Sequence, residues 1–343
     1  MSRKVTIALD AMGGDRGPDV VVPAALATLE RDDSVRLVLV GLPKVLEEAG
    51  RSAGDRFGSR LRFRAASEVV AMDEPPAEAL RHKKDSSLRV AISLVKDGEA
   101  DACVSAGNTG ALMATARYIL KMLPGIDRPA IISAVPGITG PTFMLDMGAN
   151  VGCTAEHLRQ FALMGSVVAS DILEIEAPRV GLLNIGQEDI KGNEVVREAG
   201  ALLAESNLNY QGFVEGNDIF QADIDVVVCD GFVGNVAIKT MEGVASLVGA
   251  FLREEFGRNV LRRVQGIAAN SALVALRNRI DPRRYNGASL VGLNGIVLKS
   301  HGGADKMAFE TAVNTAIVEA RKGVPVQIGQ LLDRQPAVEC IPA

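Results

Sequence analysis

The chain is poor in aromatic residues and cysteines, and each shortage excludes a class of protein. It has no tryptophan, and aromatic residues make up 4% of its 343 residues. No run of about 18 apolar residues occurs, so a membrane-spanning helix is not expected and any membrane contact is expected to be peripheral. The four cysteines have no CxxC spacing, which favours reduced thiols in a cytoplasm-like compartment over a disulfide scaffold. They are Cys103, Cys153, Cys229 and Cys340.

Several functional motifs are also missing. The net charge of −5 leaves no basic excess to neutralise nucleic-acid phosphates, so no nucleic-acid partner is expected. The absence of GxGxxG, GxxxxGK[ST] and GxSxG disfavours a Rossmann dinucleotide site, a Walker A nucleotide site and a serine hydrolase. His82, His157 and His301 have no zinc-ligand spacing, so no metal site is predicted. Strand-like sequence begins at Val5, and no signal peptide is expected before it.

The chain does contain a regular alternation of β-branched runs and longer helical patterns. It is 48% hydrophobic with 35 glycines, a profile typical of α/β enzymes. The alternation predicts a three-layer α/β/α, Rossmann-like fold with a mixed, mostly parallel sheet. The neighbouring runs AIISAVPG and TFMLDMG predict a hairpin, which makes the sheet mixed. With no linker or repeat, residues 1–343 are predicted to form a single domain with two lobes.

The predicted elements can be placed along the whole chain. Strands are predicted at Val5–Ala11, Val35–Val40, Leu61–Ala65, Ala102–Ser105, Ala130–Val135, Thr142–Met147, Arg179–Ile185, Gln211–Glu215, Asp225–Cys229 and Gly295–Ser300. Helices are predicted at Pro18–Glu30, Pro43–Ala49, Ser86–Asp97, Thr109–Lys121, Ala155–Ile172, Glu188–Glu205, Gly234–Phe256 and Lys306–Lys322.

Five polar or glycine-rich turns follow predicted strands, and they form the candidate active site. The first strand ends at Asp10 and leads into Gly13, Gly14 and Asp15. Backbone N–H groups at such a turn, followed by a helix N-terminus, are a ready site for phosphate or another anion. Because all five turns lie at the carboxyl ends of strands, we predict one active-site rim that faces a phosphate-like ligand. The other four turns are Ser105–Gly110, Asp146–Asn150, Asn184–Glu194 and Asp230–Asn235.

A purely structural role for these residues is an open alternative. The Gly13–Gly14 pair can form a tight turn capped by Asp10, and Asn108 or Thr109 can cap a helix. Cys229 ends an apolar strand and is a conceivable acyl-carrying nucleophile, but no histidine lies near it in sequence. Burial as a small hydrophobic residue is the favoured interpretation of that cysteine.

Lys191 lies in the turn with the densest polar sequence, NIGQEDIKGNE. The prediction puts it one turn into a helix, where the helix dipole favours an acid rather than a cation. A bound anion would compensate for this unfavourable position. An ion pair with Glu188 or Glu194 is the alternative, and the sequence does not decide between them.

Residues 244–284 form a predicted amphipathic basic helical segment. Between Phe251 and Arg284 there are eight arginines and three acids, beside apolar residues at helical spacing. One interpretation is a pair of surface helices packed on the sheet. The other is a hydrophobic and basic helical pair that meets an acidic partner or an anionic bilayer.

Six blocks of sequence together resemble the bacterial acyl-ACP:phosphate acyltransferase (PlsX) family. The match runs in order from about Thr6 to Ala316, and residues 242–284 match less well. The blocks are ALDAMGGDRGP, SAGNTGALMA, LDMGAN, GLLNIGQEDIKGNE, CDGFVGNVAIKTMEG and YNGASLVGLNGIVLKSHG.

This resemblance implies a reaction and its partners. Inorganic phosphate would attack the thioester of a long-chain fatty acyl-ACP and give acyl phosphate and free ACP (acyl carrier protein), without a cofactor. The resemblance also implies a fold related to phosphotransacetylases and isopropylmalate-dehydrogenase-like proteins, and a homodimer. The enzyme would be cytoplasmic or peripheral at the inner face of the cell membrane. There it would pass acyl phosphate to a membrane glycerol-3-phosphate acyltransferase for phospholipid synthesis.

The resemblance also suggests roles for individual residues. Lys191 is expected to bind phosphate or the oxyanion, and Asn235 to orient phosphate or the thioester carbonyl. Asp230 and Asp10 are expected to fix the loops or to act as bases toward phosphate. Further phosphate or thioester contacts are expected from Gly13, Gly14, Asn108, Thr109, Gly110, Asn150 and His301. ACP contacts are expected from Arg262, Arg263 and Arg277.

Three other functions stay open on the sequence alone. A phosphotransacetylase-like enzyme would use the same chemistry with acyl-CoA. An NAD-linked dehydrogenase of the related fold is disfavoured only in part by the missing fingerprint. A noncatalytic membrane-docking protein would explain the basic segment and nothing else.

Overall fold

The computed structural model describes residues 3–221 and 223–333, which form eleven strands and twelve α-helices. The strands are β1 (Val5–Asp10), β2 (Val35–Gly41), β3 (Leu61–Ala65), β4 (Ala102–Ser105), β5 (Ala130–Pro136), β6 (Pro141–Leu145), β7 (Val180–Leu183), β8 (Tyr210–Val214), β9 (Val226–Val228), β10 (Ala288–Val291) and β11 (Ile296–Lys299). The helices are α1 (Pro18–Arg31), α2 (Pro43–Ala53), α3 (Pro76–His82), α4 (Ser87–Lys96), α5 (Thr109–Leu120), α6 (Ala155–Leu173), α7 (Glu194–Ala204), α8 (Gly231–Gly257), α9 (Val260–Ala268), α10 (Asn270–Ile280), α11 (Lys306–Lys322) and α12 (Val324–Asp333).

Every strand and helix predicted from the sequence has a counterpart, with shifts at the ends. The largest shift is at α7, which begins at Glu194 and not at Glu188 because the Asn193 side chain accepts a hydrogen bond from the Val196 N–H and caps the helix there. Helix α8 begins three residues early, at Gly231, because Asp230 caps it. The sequence missed β10, α3 and α12, whose sequences contain or adjoin residues typical of loops. Strand β10 lies between Gly287 and Gly292, α3 begins directly after Pro75, and α12 contains Pro325 and Gly329.

All eleven strands belong to one mixed sheet, in the order β3-β2-β1-β4-β11-β10-β5-β6-β9-β7-β8. The β5–β6 hairpin is confirmed, with Ile132 opposite Leu145. Strand β10 is antiparallel to both of its neighbours, β11 and β5. The other pairings are parallel. The mostly parallel, mixed α/β fold predicted from the sequence is therefore confirmed.

Helices cover both faces of the sheet, which gives the three layers. In the first half of the sheet, Ile7 and Leu9 pack toward α1 and α11, while Ala8 on the same strand packs toward α4 and α5. In the second half, Leu145 packs toward α6. Met144 faces the opposite side with Ile238 of α8. The alternation along each strand is what a sheet buried on both faces requires.

The antiparallel pairs divide the sheet into two halves that run in opposite directions. Strands β1, β4 and β11 share one direction, and β6, β9 and β7 share the other. Their carboxyl ends therefore lie at opposite edges of the hydrogen-bonded ladder, although the twist of about 20–25° per strand also turns the two halves relative to each other. The candidate site residues accordingly fall into two clusters.

Candidate active site

The first cluster lies where β1, β4 and β11 end, and its centre is a buried carboxylate. Asp10 is 1% exposed. Its Oδ2 accepts a hydrogen bond from the Ser105 hydroxyl at 2.7 Å, and its Oδ1 accepts one from the Met12 N–H at 3.2 Å. Burial raises the pKa of Asp10, and these hydrogen bonds oppose the increase. The Ser105 hydroxyl in turn accepts from the Gly107 N–H at 3.0 Å, so Asp10 holds the turn that follows β4.

The glycines of the first cluster are required by close backbone approach. A Cβ on Gly13 would lie 2.6 Å from the Gly107 nitrogen and 2.8 Å from Oδ2 of Asp10. Gly14 has a φ of +90°, and a Cβ there would lie 2.9 Å from the Gly302 carbonyl oxygen. The Asp15 N–H donates to that same carbonyl at 2.9 Å. Two glycine turns, one after β1 and one after β11, thus meet at this point.

The Asn108 side chain is already hydrogen-bonded to the backbone and is therefore not available to a ligand. Its amide nitrogen donates to the carbonyls of Met72 and Glu74, each at 2.9 Å, and its Oδ1 caps α5 by accepting from the Ala111 N–H. What this position offers a ligand is therefore the backbone at the start of α5, where Thr109 and Gly110 lie. A Cβ on Gly110 would lie 2.6 Å from the Cγ of Pro76, so this glycine allows α3 to pack on α5.

Strand β11 contributes Lys299 and, just beyond it, Ser300 and His301. Ser300 is fully buried. His301 is exposed, and its Nδ1 accepts a hydrogen bond from the Gly303 N–H at 3.1 Å. This bond leaves Nε2 as the nitrogen that can donate to a ligand when the ring is neutral. Sequence reasoning found His301 but missed Lys299, because VLKS follows the alternation of an ordinary strand.

The second cluster lies where β6, β9 and β7 end, and a buried carboxylate also organises it. Asp146 is fully buried. Its Oδ1 accepts from the N–H groups of Ile131 and Ala149, each at 3.0 Å. Its Oδ2 accepts from the backbone N–H of Asn150 at 2.7 Å and from the Asn150 amide at 2.8 Å. Only an ionised carboxylate can accept all four bonds, although burial raises the pKa of Asp146.

Asn150, predicted to contact the substrate, is held inside this network. Its amide nitrogen donates to the Pro129 carbonyl at 2.7 Å as well as to Asp146. Its own carbonyl accepts from the Gly231 N–H at 2.8 Å. A Cβ on Gly234 would overlap the Asp146 carbonyl oxygen. The Asp146 loop and the first turn of α8 are thereby packed into one rigid unit.

Asp230 is the N-cap of α8, and Asn235 is the fifth residue of this helix. The Asp230 side chain is hydrogen-bonded to the backbone, whereas that of Asn235 is not among the described residues. Oδ1 of Asp230 accepts from the N–H groups of Phe232 and Val233 at 2.8 and 3.0 Å, so this carboxylate is the helix cap. Asn235 is exposed beside Gly148, whose ideal Cβ would lie 3.6 Å from the Asn235 Cβ. Within residues 3–221 and 223–333 the Asn235 amide has no hydrogen-bond partner.

Lys191 is exposed in a turn and not in a helix, which corrects the sequence prediction. Its N–H donates to the Glu188 carbonyl at 2.9 Å, and α7 begins three residues after it. Lys191 therefore does not lie inside the first turn of a helix, where its charge would oppose the helix dipole. The Asn184 amide donates to the Lys191 carbonyl at 3.2 Å and fixes the turn. Among the described residues, the Lys191 ammonium forms no salt bridge with Glu188 or Glu194. The Glu188 carboxylate is nevertheless close to the Lys191 side chain, since the ideal Cβ of Gly186 would lie 2.7 Å from Oε2 of Glu188 and 3.2 Å from Cγ of Lys191.

The cysteines are not placed as nucleophiles. Cys103 and Cys229 are buried, and burial raises the pKa of both thiols far above the usual range. Burial also raises the pKa of Cys153 to about 11. All three are therefore protonated near neutral pH. The fourth cysteine, Cys340, lies outside the described residues.

His157 has a structural role in the second half of the sheet. His157 lies in the first turn of α6, and its Nδ1 accepts from the Thr154 N–H at 3.1 Å in a capping box. Among the residues that the structure describes, no group of three or more His, Cys, Asp or Glu side chains is arranged to hold a metal ion.

The Asp10 cluster and the Asp146 cluster are not linked to each other by polar contacts among the described residues. In the described part of the chain, no hydrogen bond or salt bridge joins a residue of the Asp10 cluster to one of the Asp146 cluster. The prediction that all five turns form one rim stays a prediction. It requires that the twist of the sheet, or a second copy of the chain, bring the two sets of strand ends together.

The 244–284 segment projects from the second cluster as the rest of α8, followed by α9 and α10. Helices α9 and α10 have no buried residue, so packing on the sheet is not what stabilises them. Large apolar side chains are open to solvent, including Phe251, Val260 and Ile267 at 57%, 76% and 76% exposure. By length and mean hydropathy alone, the 27-residue α8 is long and apolar enough to cross a membrane. That is weak support for a span, because the first turn of α8 is packed against the Asp146 loop.

Comparison with known proteins identifies the family. A family model described as "Fatty acid synthesis protein" matches residues 5–327. The curated phosphate acyltransferase of Alkalilimnicola ehrlichii is 62% identical over 333 residues, 97% of each chain. That of Halorhodospira halophila is 58% identical and covers 97% of this chain and 98% of its own. A phosphotransacetylase from Streptococcus pyogenes shares the fold, with a TM-score of 0.60 and 16% identity over 93% of this chain and 94% of its own. The chain therefore belongs to the fatty acid synthesis protein family, and it is an acyltransferase of the phosphate acyltransferase type.

Proposed function

We propose that this protein transfers a long-chain fatty acyl group from acyl-ACP to inorganic phosphate. The products are acyl phosphate, which supplies phospholipid synthesis, and free ACP. The observation that carries this proposal is the near full-length identity of 62% to a protein named phosphate acyltransferase. The site supports it independently, since it offers exposed cation and amide donors beside glycine turns.

In the proposed reaction, phosphate is the nucleophile. A phosphate oxygen attacks the thioester carbonyl carbon, a C–O bond forms, the C–S bond breaks, and the thiolate of ACP leaves. No acyl-enzyme is needed, which agrees with the protonated, buried thiols of Cys103 and Cys229. The task of the protein is to hold the anion, to orient it and to stabilise the oxyanion that develops.

Lys191 and Asn235 are the residues we assign to this task. Both side chains are exposed and unpartnered among the described residues. Lys191 lies on a turn that the Asn184 amide holds, and Asn235 lies near the start of α8, which Asp230 caps. The Lys191 ammonium supplies charge to phosphate or the oxyanion, and the Asn235 amide orients phosphate or the thioester carbonyl. Asp230 acts by fixing the first turn of α8, since its carboxylate already accepts two backbone N–H groups.

The basic segment suits an acidic carrier. Arg262, Arg263 and Arg277 are exposed and form no salt bridge with any residue in 3–221 or 223–333. Complementary charge of this kind accelerates and orients association. The exposed apolar side chains beside them support a peripheral membrane contact of a cytoplasmic protein. That contact would allow hand-off of acyl phosphate to a membrane glycerol-3-phosphate acyltransferase. A homodimer would cover part of the same apolar surface.

The substrate can be tested directly. Purified protein is incubated with palmitoyl-ACP or palmitoyl-CoA, with and without phosphate, while thiol release and acyl phosphate are measured. We expect phosphate-dependent cleavage of palmitoyl-ACP at a higher kcat/KM than of palmitoyl-CoA. A preference for palmitoyl-CoA would move the assignment to the phosphotransacetylase reaction, and a nicotinamide absorbance change without thiol release would replace it with a dehydrogenase.

A further inference from the structure

Lys299, the last residue of β11, is a half-buried cation that neither sequence patterning nor the proposed reaction accounts for. Its backbone is in register with Ser105 of β4. Its Nζ donates to the Ala106 carbonyl at 3.1 Å and to the Ser300 carbonyl. Both acceptors are neutral, and the described residues contain no carboxylate in salt-bridge contact with this ammonium. One of its three N–H donors is therefore still available.

The surroundings of Lys299 are shaped by the first cluster. The carboxylates of Asp10 and Asp15 act on its charge electrostatically. The two glycine turns meet nearby: the ideal Cβ of Gly14 would lie 3.5 Å, and that of Gly302 3.9 Å, from the Ala106 carbonyl oxygen that accepts from Lys299. Lys299 thus lies where the turns after β1, β4 and β11 meet, and it is partly exposed there.

Stability alone does not explain a lysine at this position. Moving an ammonium out of water costs free energy that two carbonyl acceptors repay only in part. The side chain projects to the same sheet face as Val297, which lies in the apolar core between β11, α4 and α5. An apolar residue of similar length would continue that core at lower cost. The charge is then explained by something that binds it.

We propose that Lys299 is a further catalytic residue, whose ammonium contacts the phosphate group at the end of β11. This inference rests on the proposed function. The lysine stabilises the negatively charged phosphate while a phosphate oxygen forms its bond to the acyl carbon. The C–S bond breaks, and its electron pair leaves on the thiolate sulfur of ACP. The lysine itself is neither acylated nor consumed. It also offsets Asp10 and Asp15, whose charges would otherwise repel an anion from this cluster.

The protonation state of Lys299 gives a readout that a structural role does not. Burial lowers the pKa of Lys299 to about 8, although Asp15 and Asp10 oppose the decrease. The ammonium is present below that pH and is lost as the pH rises through it, so kcat/KM for phosphate is expected to fall on the alkaline side. Besides Asp10 and Asp15, the titratable group adjoining this site is His301. Arginine does not titrate in this range, so Lys299→Arg is expected to lack this alkaline fall.

The experiment uses the full-length protein and three variants: Lys299→Met, Lys299→Arg and, as a control, Lys44→Met on the exposed surface of α2. For Lys299→Met we expect kcat/KM for phosphate to fall by about 10²–10³ with a melting temperature that is not lowered. The control is expected to match the wild type. The ratio of wild type to Lys299→Arg is measured from pH 6.5 to 9.5, because ionisation of phosphate itself cancels in that ratio. It is expected to fall through pH 8.

Two results would overturn the proposal. One is a folded Lys299→Met protein with kcat and KM for phosphate within about threefold of the wild type. The other, which holds even if Lys299→Met does not fold, is a constant ratio of wild type to Lys299→Arg across pH 8. A second arm measures the rise in melting temperature caused by inorganic phosphate alone, which is expected in the wild type and absent in Lys299→Met. That arm still decides the role of Lys299 if the wild type does not cleave acyl-ACP, an outcome that would reject the proposed function instead.

Discussion

The two glycine-rich clusters place their lysines in opposite ways. In the first, Lys299 is half-buried and donates to backbone carbonyls near the buried carboxylate of Asp10. In the second, Lys191 is exposed on a turn and has no partner among the described residues. The buried carboxylate of this cluster is Asp146, in the loop that follows β6. Each cluster thus combines a buried acid that shapes the turns with a cation that the fold leaves without a carboxylate. The two clusters differ in how far the lysine is exposed to solvent: Lys191 is exposed and Lys299 is half-buried.

This difference determines what each lysine can contribute. Water weakens the interaction of an exposed ammonium with phosphate. A buried ammonium interacts more strongly with an anion, yet burial also makes it easier to deprotonate. We therefore expect substitutions at the exposed lysine to affect activity without affecting stability, and substitutions of the buried acids to affect both.

The largest effect is expected from Lys191→Met. Removal of one cationic donor to the phosphate or oxyanion lowers kcat/KM by about 10²–10³. The melting temperature is expected to stay unchanged, because the ammonium has no described partner. Steady-state kinetics with palmitoyl-ACP and phosphate, together with differential scanning calorimetry, measure both quantities.

The matched control is Lys96→Met, another exposed lysine at the end of α4. It is expected to leave kcat/KM and the melting temperature at the wild-type values. Full activity in a folded Lys191→Met protein would remove this residue from the reaction.

The next largest effect is expected from Asp146→Asn. The new amide group would face two of the four N–H donors that the carboxylate now satisfies. Burying such unpaired donors costs about 1–3 kcal/mol each, so we expect the free energy of unfolding to fall by about 3 kcal/mol. Urea denaturation measures this change.

Asp230→Asn is the control within the same cluster. Asparagine caps a helix as well as aspartate does, so the free energy of unfolding is expected to change by less than about 1 kcal/mol. Equal destabilisation by the two substitutions would contradict the assignment of Asp146 as the residue that organises this cluster.

The cost of burying an acid can be calibrated at Glu319, which lies outside both clusters. Its Oε2 accepts from the Ser289 hydroxyl at 2.9 Å, while Oε1 has no partner among the described residues. Burial raises the pKa of Glu319 from 4.5 to about 7. The folded state therefore holds this proton more tightly, and the resulting stability is present below pH 4.5 and lost as the pH rises toward 7.

Glu319→Gln removes that pH dependence. We expect the variant to gain about 3 kcal/mol relative to the wild type between pH 4.5 and 8. Urea denaturation of both proteins at several pH values gives the difference, in which the other carboxyl groups cancel. A constant difference across this range would show that burial costs less here than the argument for Asp10 and Lys299 requires.

The smallest effect is expected from charge reversal on the basic segment. Replacement of Arg262, Arg263 and Arg277 by glutamate should raise KM for acyl-ACP about tenfold at low salt, with little change in kcat. The effect should shrink as salt screens the charges.

Three exposed arginines in the first half serve as the control for charge reversal. Reversal of Arg36, Arg51 and Arg81 changes the net charge by the same amount and is expected to leave KM for acyl-ACP unchanged. Equal effects of the two triple variants would mean that overall charge, and not this segment, attracts the substrate.

The sequence predicted most of the fold because strong local patterns specify it. The apolar run VTIALD predicts β1, and the short turn between two apolar runs predicts the β5–β6 hairpin. Residues close together in the sequence are enough to specify such elements. Strand β10 was missed because its four residues lie between glycines that are typical of turns, yet this strand takes part in the reversal of sheet direction. A parallel edge shared by all five turns was therefore a natural but unsupported expectation.

The candidate site was predictable where polar residues are dense and less so where they are not. Lys191 and Asn235 lie in polar or glycine-bracketed turns, and the resemblance to a known family reinforced them. Asn108 and Asp230 were found as well, but their side chains cap helices. The sequence offered helix capping as an alternative for Asn108, and for Asp230 it offered only fixing of the loop. Lys299 has no local signal, because only the folded sheet shows that its ammonium is enclosed.

The most direct test of the account is a rapid-mixing measurement of thiol release from palmitoyl-ACP in the absence of phosphate. If phosphate is the nucleophile, no ACP thiol appears until phosphate is added, and then one acyl phosphate forms for each thiol released. Release of about one thiol per protein chain before phosphate is added would reveal an acyl-enzyme and contradict the account.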